Sequence, residues 1–172
     1  MPNLHVLSLL AIPGSEERWM YLYELLDKDS IVMSLTSRTK DEVLEEMVDV
    51  LDRTGKIKDR DAVLKAIVDR ERIMTTGIGN GVGVPHCKTA AVDRLVAALG
   101  ISRQGIDFQA PDDEPARLIF ILVAEQNNPG PHVRALARLA KLLSSKDVRD
   151  ALLAADSPEN LLRVITEREQ EL

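Results

Sequence analysis

RERIMTTGIGNGVGVPHCK, residues 70–88, joins the charged end of a helical pattern to a glycine-rich loop and then to Pro85-His86. Glycine loops open several nucleotide-binding folds, so the reading of this one selects the architecture. A dinucleotide fingerprint has a strand before its glycines and a helix after them. Here a helical pattern comes first, and Val82-Gly83-Val84-Pro85 follows as an extended run that cannot begin a helix interior. A P-loop would close on Gly-Lys-Ser/Thr, which this loop lacks. What remains is a physical property: glycines permit positive φ and close backbone approach, so successive N–H groups can converge on an anion. Thr76, Gly77, Gly79 and Gly81 are the candidate cradle.

Upstream of the loop, Val63, Ala66 and Ile67 form one side of a helix that Asp59 can cap, and Arg70 is the next position on that stripe. Two readings of Arg70 stand: its stem packs while its head reaches water, or its guanidinium clamps an anion beside the loop. Earlier, Thr39 and Glu42 form a capping-box pattern, and Val43, Leu44, Met47, Val48, Val50 and Leu51 keep the spacing of one buried face until Gly55. Residues 21–27 read as a short helical turn and residues 31–35 as a short strand. Residues 1–19 end in the break Pro13-Gly14-Ser15-Glu16-Glu17-Arg18 and read as an appendage, expected to be disordered, with Met20 an alternative start.

Downstream, residues 95–101 and 117–124 are apolar runs of strand length, and the second is the most apolar in the chain. It reads as a central strand covered on both faces. Asn128-Pro129-Gly130 turns the chain, Pro131 suits a first helical position, and Val133, Leu136, Ala137, Ala140 and Leu143 form the expected stripe. His132 then falls in the first turn of a helix, just past the carboxyl end of a central strand. Sites gather there in open α/β sheets, and helix N-termini attract anions while keeping an imidazole neutral. Taken alone, His132 reads as a surface histidine one turn from the core; its pairing with His86 makes it a candidate. Ser145 and Ser157-Pro158 start two closing helices that read as packing elements.

The chain has 172 residues, of which 45% are hydrophobic and 3% aromatic. That suits one α/β domain, spanning residues 20–170, whose helices pack on a sheet through Leu, Ile, Val and Ala. A net charge of −6 argues against a nucleic-acid partner, and no run is long enough for direct membrane insertion. One cysteine, Cys87, leaves no internal disulfide, so a reducing cytoplasm is expected.

Three chemistries could use His86. A metal could take His86, Cys87 and His132, but neighbours in an extended segment point to opposite sides, so positions 86 and 87 do not readily share one ion. A Cys–His nucleophile pair meets the same objection. Phosphoryl transfer needs a neutral imidazole with one free lone pair, its other nitrogen held by a fixed acceptor, and donors for the added dianion. Arg70, the loop N–H groups and His132 are donors of the right kind.

The combined pattern of Arg70-Glu71, Thr75-Thr76-Gly77-Ile78-Gly79-Asn80-Gly81-Val82 and Pro85-His86 resembles the enzyme IIA domain of the fructose–mannitol family of the bacterial phosphoenolpyruvate-dependent sugar phosphotransferase system, with its nitrogen-regulatory branch. Leu25-Leu26-Asp27, Gly105-Ile106-Asp107-Phe108 and His132 with Leu136-Ala137 extend the likeness over about residues 20–170. The resemblance implies a mixed central β-sheet flanked by helices on both faces. It implies His86 as the phosphohistidine, bonded through Nε2, with Arg70 and His132 as electrostatic partners; on the spacing argument above, no metal is expected, and no cofactor. The donor it implies is the histidine-containing phosphocarrier protein; the acceptor is an enzyme IIB domain or, in a regulatory branch, a protein target chosen by phosphorylation state. Two departures stand out. Cys87 replaces the usual glycine of Pro-His-Gly-Lys, and Gly83 stands where Ala is common. A side chain at 87 is expected to alter the backbone near the phosphate or crowd a partner. With no IIB, IIC or phosphocarrier domain in the sequence, the expectation is a free-standing carrier.

Overall fold

Capping chemistry places the first two helices as expected. The computed structural model describes residues 20–172, so the reading of residues 1–19 lies outside the described residues. Two 3-10 turns, Leu22–Glu24 and Lys28–Ser30, lead into β1 (Ile31–Val32). In α1 (Lys40–Arg53) the Thr39 hydroxyl accepts from the Glu42 N–H at 3.3 Å, and the Glu42 carboxylate accepts from the Thr39 N–H at 3.2 Å. Before α2 (Arg60–Ile73), the Asp59 carboxylate accepts the Ala62 N–H at 3.0 Å. Then follow β2 (Gly77–Gly79), β3 (Val82–Gly83), β4 (His86–Thr89), β5 (Val96–Ile106), β6 (Ala116–Glu125), α3 (Pro129–Ser144), α4 (Lys146–Ala154) and α5 (Pro158–Gln170).

The sheet runs β1-β5-β6-β3-β2, with β4 also paired to β6. It is mixed: β5 and β6 are antiparallel, whereas β3 and β4 both run parallel to β6 and follow one another along its second edge. Val84 and Pro85 separate those two strands, and proline has no N–H to give a ladder. Side-chain alternation divides the core. Leu118, Phe120, Leu122 and Ala124 of β6 face α3, α4 and α5, while Ile119, Ile121 and Val123 face α1 and α2. Helices therefore cover both faces of one domain. Glu169 of α5 closes the first layer: its buried carboxylate accepts the Leu22 and Tyr23 N–H groups and Arg138 Nε.

Three local expectations change. The strand expected over residues 31–35 keeps only two residues, although the Leu35 N–H still reaches the Ile101 carbonyl at 2.8 Å. Helix α3 begins at Pro129, two residues before the expected Pro131. Its buried face is His132, Ala135, Leu139, Leu142 and Leu143, so the stripe is rotated by one position and Val133 faces out, 60% exposed. The glycine loop is a β-hairpin, in which Asn80 and Gly81 have φ of 54° and 73° and make a turn of the primed type that matches strand twist.

Gly77 and Gly83 are paired across this hairpin, and both lie against Phe108, which is fully buried. A Cβ at Gly77 would stand 2.8 Å from Phe108 Cβ and 3.2 Å from Ala110 Cβ. At Gly83 it would meet the Phe108 ring at 3.0–3.1 Å, so alanine there would require the ring to give way by a few tenths of an ångström. Gly77→Ala is expected to destabilise the protein by about 1–3 kcal/mol through overpacking. A urea midpoint that falls with an unchanged m-value would show it; an unmoved midpoint would show that Phe108 yields.

Candidate functional site

The break between β3 and β4 places His86. Val84 turns its N–H to the Thr76 carbonyl at 2.9 Å, and its own carbonyl meets His86 Nδ1 at 2.7 Å. A carbonyl only accepts, so the neutral ring carries its proton on Nδ1 and keeps the lone pair on Nε2. Period two along β4 sends Cys87 into the α1–α2 core and brings Lys88 to the His86 cleft. Burial pushes the Cys87 thiol up to about 12. Cys87 is 5% exposed and packs in that core, while also forming part of the cleft wall beside His86. Among the described residues no cluster of His, Cys, Asp and Glu could hold a metal ion.

Helix α2 supplies the cation. Its deepest line is Val63, Ile67 and Glu71, and Arg70 lies on the shoulder of that line. Arg70 Nη1 donates to the Met74 carbonyl at 2.9 Å. Glu71 is buried and accepts from Lys40 Nζ at 2.8 Å, from the Thr76 N–H at 3.0 Å and from the Thr76 hydroxyl. Burial raises the Glu71 carboxyl, but the Lys40 and Thr76 bonds outweigh it and hold the group below its ordinary value.

From α3, His132 reaches the same place. It is 5% exposed, and its ring centroid lies 5.4 Å from that of His86 at an interplanar angle of 53°. Its Nδ1 is buried without a hydrogen-bond partner among the described residues. Burial lowers the His132 pKa to about 4, helped by His86, Lys88 and Arg70. Burial also lowers His86, with Arg70 adding to the effect, while the Val84 bond and Glu71 oppose it. Both rings are thus neutral near pH 7.

This has a consequence for stability. A histidine that titrates near 4 when folded and near 6.5 when unfolded leaves the unfolded state holding more protons between those values, so stability rises with pH there. The contribution is complete above about pH 6.5 and is lost as pH falls toward about 4. His132→Gln is expected to flatten the fall in urea midpoint between about pH 7.5 and pH 5. An unchanged slope would assign the dependence to other groups.

Arg70 and His86 line both halves of a cleft. The larger half, about 530 Å³, is completed by Ala66, Asp69, Ile73, Cys87, Lys88 and His132. The smaller, about 250 Å³, is completed by Thr75, Thr76, Ile78, Val84, Leu136 and Leu139. Ile73 and Ile78, in these walls, are 81% and 49% exposed, and Met74 and Val133, next in sequence to Ile73 and His132, are 64% and 60% exposed. They are an apolar surround to a cationic centre.

The family described as "Phosphoenolpyruvate-dependent sugar phosphotransferase system, EIIA 2" matches residues 24–168. The chain belongs to this EIIA 2 family. It is 39% identical over 151 residues to the PTS system fructose-specific EIIABC component of Bacillus subtilis, covering 88% of this chain but only 24% of that protein. It is 40% identical over 129 residues to the PTS system fructose-specific EIIA component of Haloferax volcanii, covering 75% and 84% of the two chains. The solved structure of Nitrogen Regulatory Protein IIA-Ntr from Neisseria meningitidis is 31% identical, with a TM-score of 0.78 over 83% of this chain and 97% of that one.

In this EIIA 2 chain, His86, Arg70 and His132 come together although 46 residues separate the two histidines in sequence. Of the expected cradle, Thr76 borders the cleft, but its N–H and hydroxyl are engaged by Glu71. The Gly77 N–H goes to the Thr75 hydroxyl. Gly79 and Gly81 serve the hairpin turn, against Asp112 and Pro115, and line neither half of the cleft. The roles of Lys40 and Glu71 and the place of Lys88 were missed. The four-residue step Val63, Ile67, Glu71 was a usable signal, and so was the two-residue step from His86 to Lys88.

Proposed function

We propose that His86 is the phosphoryl carrier of this EIIA 2 protein, accepting the group on Nε2 from the histidine-containing phosphocarrier protein and passing it to an enzyme IIB domain in the cytoplasm. The observation that carries this is the Val84 carbonyl on His86 Nδ1, which leaves Nε2 as the nucleophile. The P–N bond of the carrier's phosphoimidazolium breaks as the bond to Nε2 forms, and its electron pair stays on the carrier ring, which leaves as neutral imidazole. If each ring keeps its own N–H, no proton has to move, and His86 passes from neutral imidazole to a phosphoimidazolium whose Nδ1–H bond to Val84 strengthens with the positive charge. Arg70 and His132 face the three phosphoryl oxygens, whose charge is what such transfers stabilise. The exposed Ile73, Met74, Ile78 and Val133 favour a protein donor, because an apolar surround is what a docking surface needs.

A second reading, favoured by the likeness to the Neisseria protein, keeps the phosphorylation and replaces onward transfer with partner selection. Incubation with phosphoenolpyruvate, enzyme I and the phosphocarrier should give an acid-labile, alkali-stable phosphate. If none forms under conditions that label a known EIIA protein, the carrier role is wrong. Added IIB proteins then separate the two readings: chase of the label supports transport, and its retention supports regulation.

A further inference from the structure

We propose that Glu71 is a positioning residue for His86, acting from the opposite side of the hairpin along a continuous path of hydrogen bonds that fixes the proton of the imidazole on Nδ1. The inference rests on the carrier role of His86 for its kinetic part only. The path has four steps. Lys40 Nζ donates to Glu71 Oε1, and the Glu71 carboxylate accepts both the N–H and the hydroxyl of Thr76. The Thr76 carbonyl then accepts the Val84 N–H, and the Val84 carbonyl accepts from His86 Nδ1.

The path matters because neither end of the Val84 peptide pair is held by the main sheet ladder. Val84 lies between β3 and β4, next to a proline. Its N–H partner, Thr76, precedes β2, outside the ladder that begins at Gly77. The fixed groups behind Thr76 are the buried carboxylate at the end of α2 and the ammonium at the start of α1. Lys40 is itself held by Gln109 at 3.2 Å and stands 5.4 Å from the Phe108 ring centroid. Loss of Glu71 frees Thr76 to rotate, and Val84 and the imidazole turn with it. A ring that loses its acceptor populates the other tautomer, in which Nε2 bears the proton and has no lone pair for phosphorus.

The tautomer is read directly by nitrogen-15 NMR of the unphosphorylated protein, and phosphoryl acceptance by the initial rate with phosphorylated carrier. Glu71→Ala is expected to shift the His86 tautomer ratio toward Nε2–H and to lower kcat about tenfold or more, leaving KM for the carrier within about twofold. Glu71→Gln keeps an acceptor for the Thr76 N–H and should restore the tautomer and most of kcat. An unchanged tautomer ratio in folded Glu71→Ala overturns the proposal, as does a rise in KM with kcat preserved. Should Glu71→Ala not fold, Thr76→Ala, which removes the hydroxyl bond alone, must move the ratio in the same direction, and no movement overturns the proposal equally. A wild-type protein that takes no phosphate fails the carrier role, while the tautomer comparison still decides the positioning role.

Discussion

His86→Ala is expected to gain no phosphate from the phosphoenolpyruvate-driven cascade, a loss beyond the range of a labelling assay. The reason is that nothing else in the cleft can replace the ring. His132 is 5% exposed and its Nδ1 is buried away from a carrier. The Cys87 thiol is in the α1–α2 core and burial has pushed it up to about 12, so it supplies no thiolate. Lys88 is exposed and ammonium nitrogens at neutral pH have no lone pair. The fold should survive, because the hydrogen bond lost is that from the imidazole to the Val84 carbonyl, and such a bond contributes about 1 kcal/mol. Circular dichroism and the urea midpoint check that condition. Normal labelling of a folded His86→Ala protein would move the acceptor elsewhere, with His132 the next to test.

How far the sequence carried this reading depends on the range of the interactions involved. The helix starts at Thr39 and Asp59 and all six apolar positions of α1 were legible because capping and helical spacing are local. The order of strands was not, since the mixed sheet arises from β3 and β4 sharing one edge of β6, a pairing across more than 30 residues. The hairpin is legible in principle, since Asn80-Gly81 is the strongest short hairpin signal, but the same glycines also fit an anion-binding loop. Helix α3 shows a subtler limit. Its apolar residues occupy two overlapping stripes, and choosing the one through Val133 placed His132 outside the core. The stripe through Ala135, Leu139 and Leu142 is the buried one, because those side chains meet β6, and His132 is in phase with it. Glu71 was hidden for a related reason. A carboxylate on an apolar line looks like an interruption until Lys40, 31 residues away, and Thr76 are seen to satisfy it.

Arg70→Ala should slow phosphorylation of His86 by about 10²–10³-fold, the usual cost of removing one pre-placed donor from a developing anionic centre. The guanidinium sits on the shoulder of α2, borders both halves of the cleft, and spends one Nη1 donor on the Met74 carbonyl, which leaves further N–H donors for an anion in the cleft. Its attachment to the last turn of a helix fixes it without help from the phosphate, so little reorganisation is needed when the group arrives. For the same reason the mutation should leave stability nearly intact, since that helix end is held by buried Glu71 rather than by Arg70. Arg70→Lys keeps the charge but loses the planar fork, and an intermediate rate is expected if two phosphoryl oxygens are held at once. Charge alone would make lysine a full substitute, so equal rates for Arg70→Lys and wild type would reduce Arg70 to a source of field. A rate within threefold of wild type for folded Arg70→Ala would return the residue to the bland alternative, a packed stem with its head in water, and leave His132 and Lys88 to carry the phosphoryl charge.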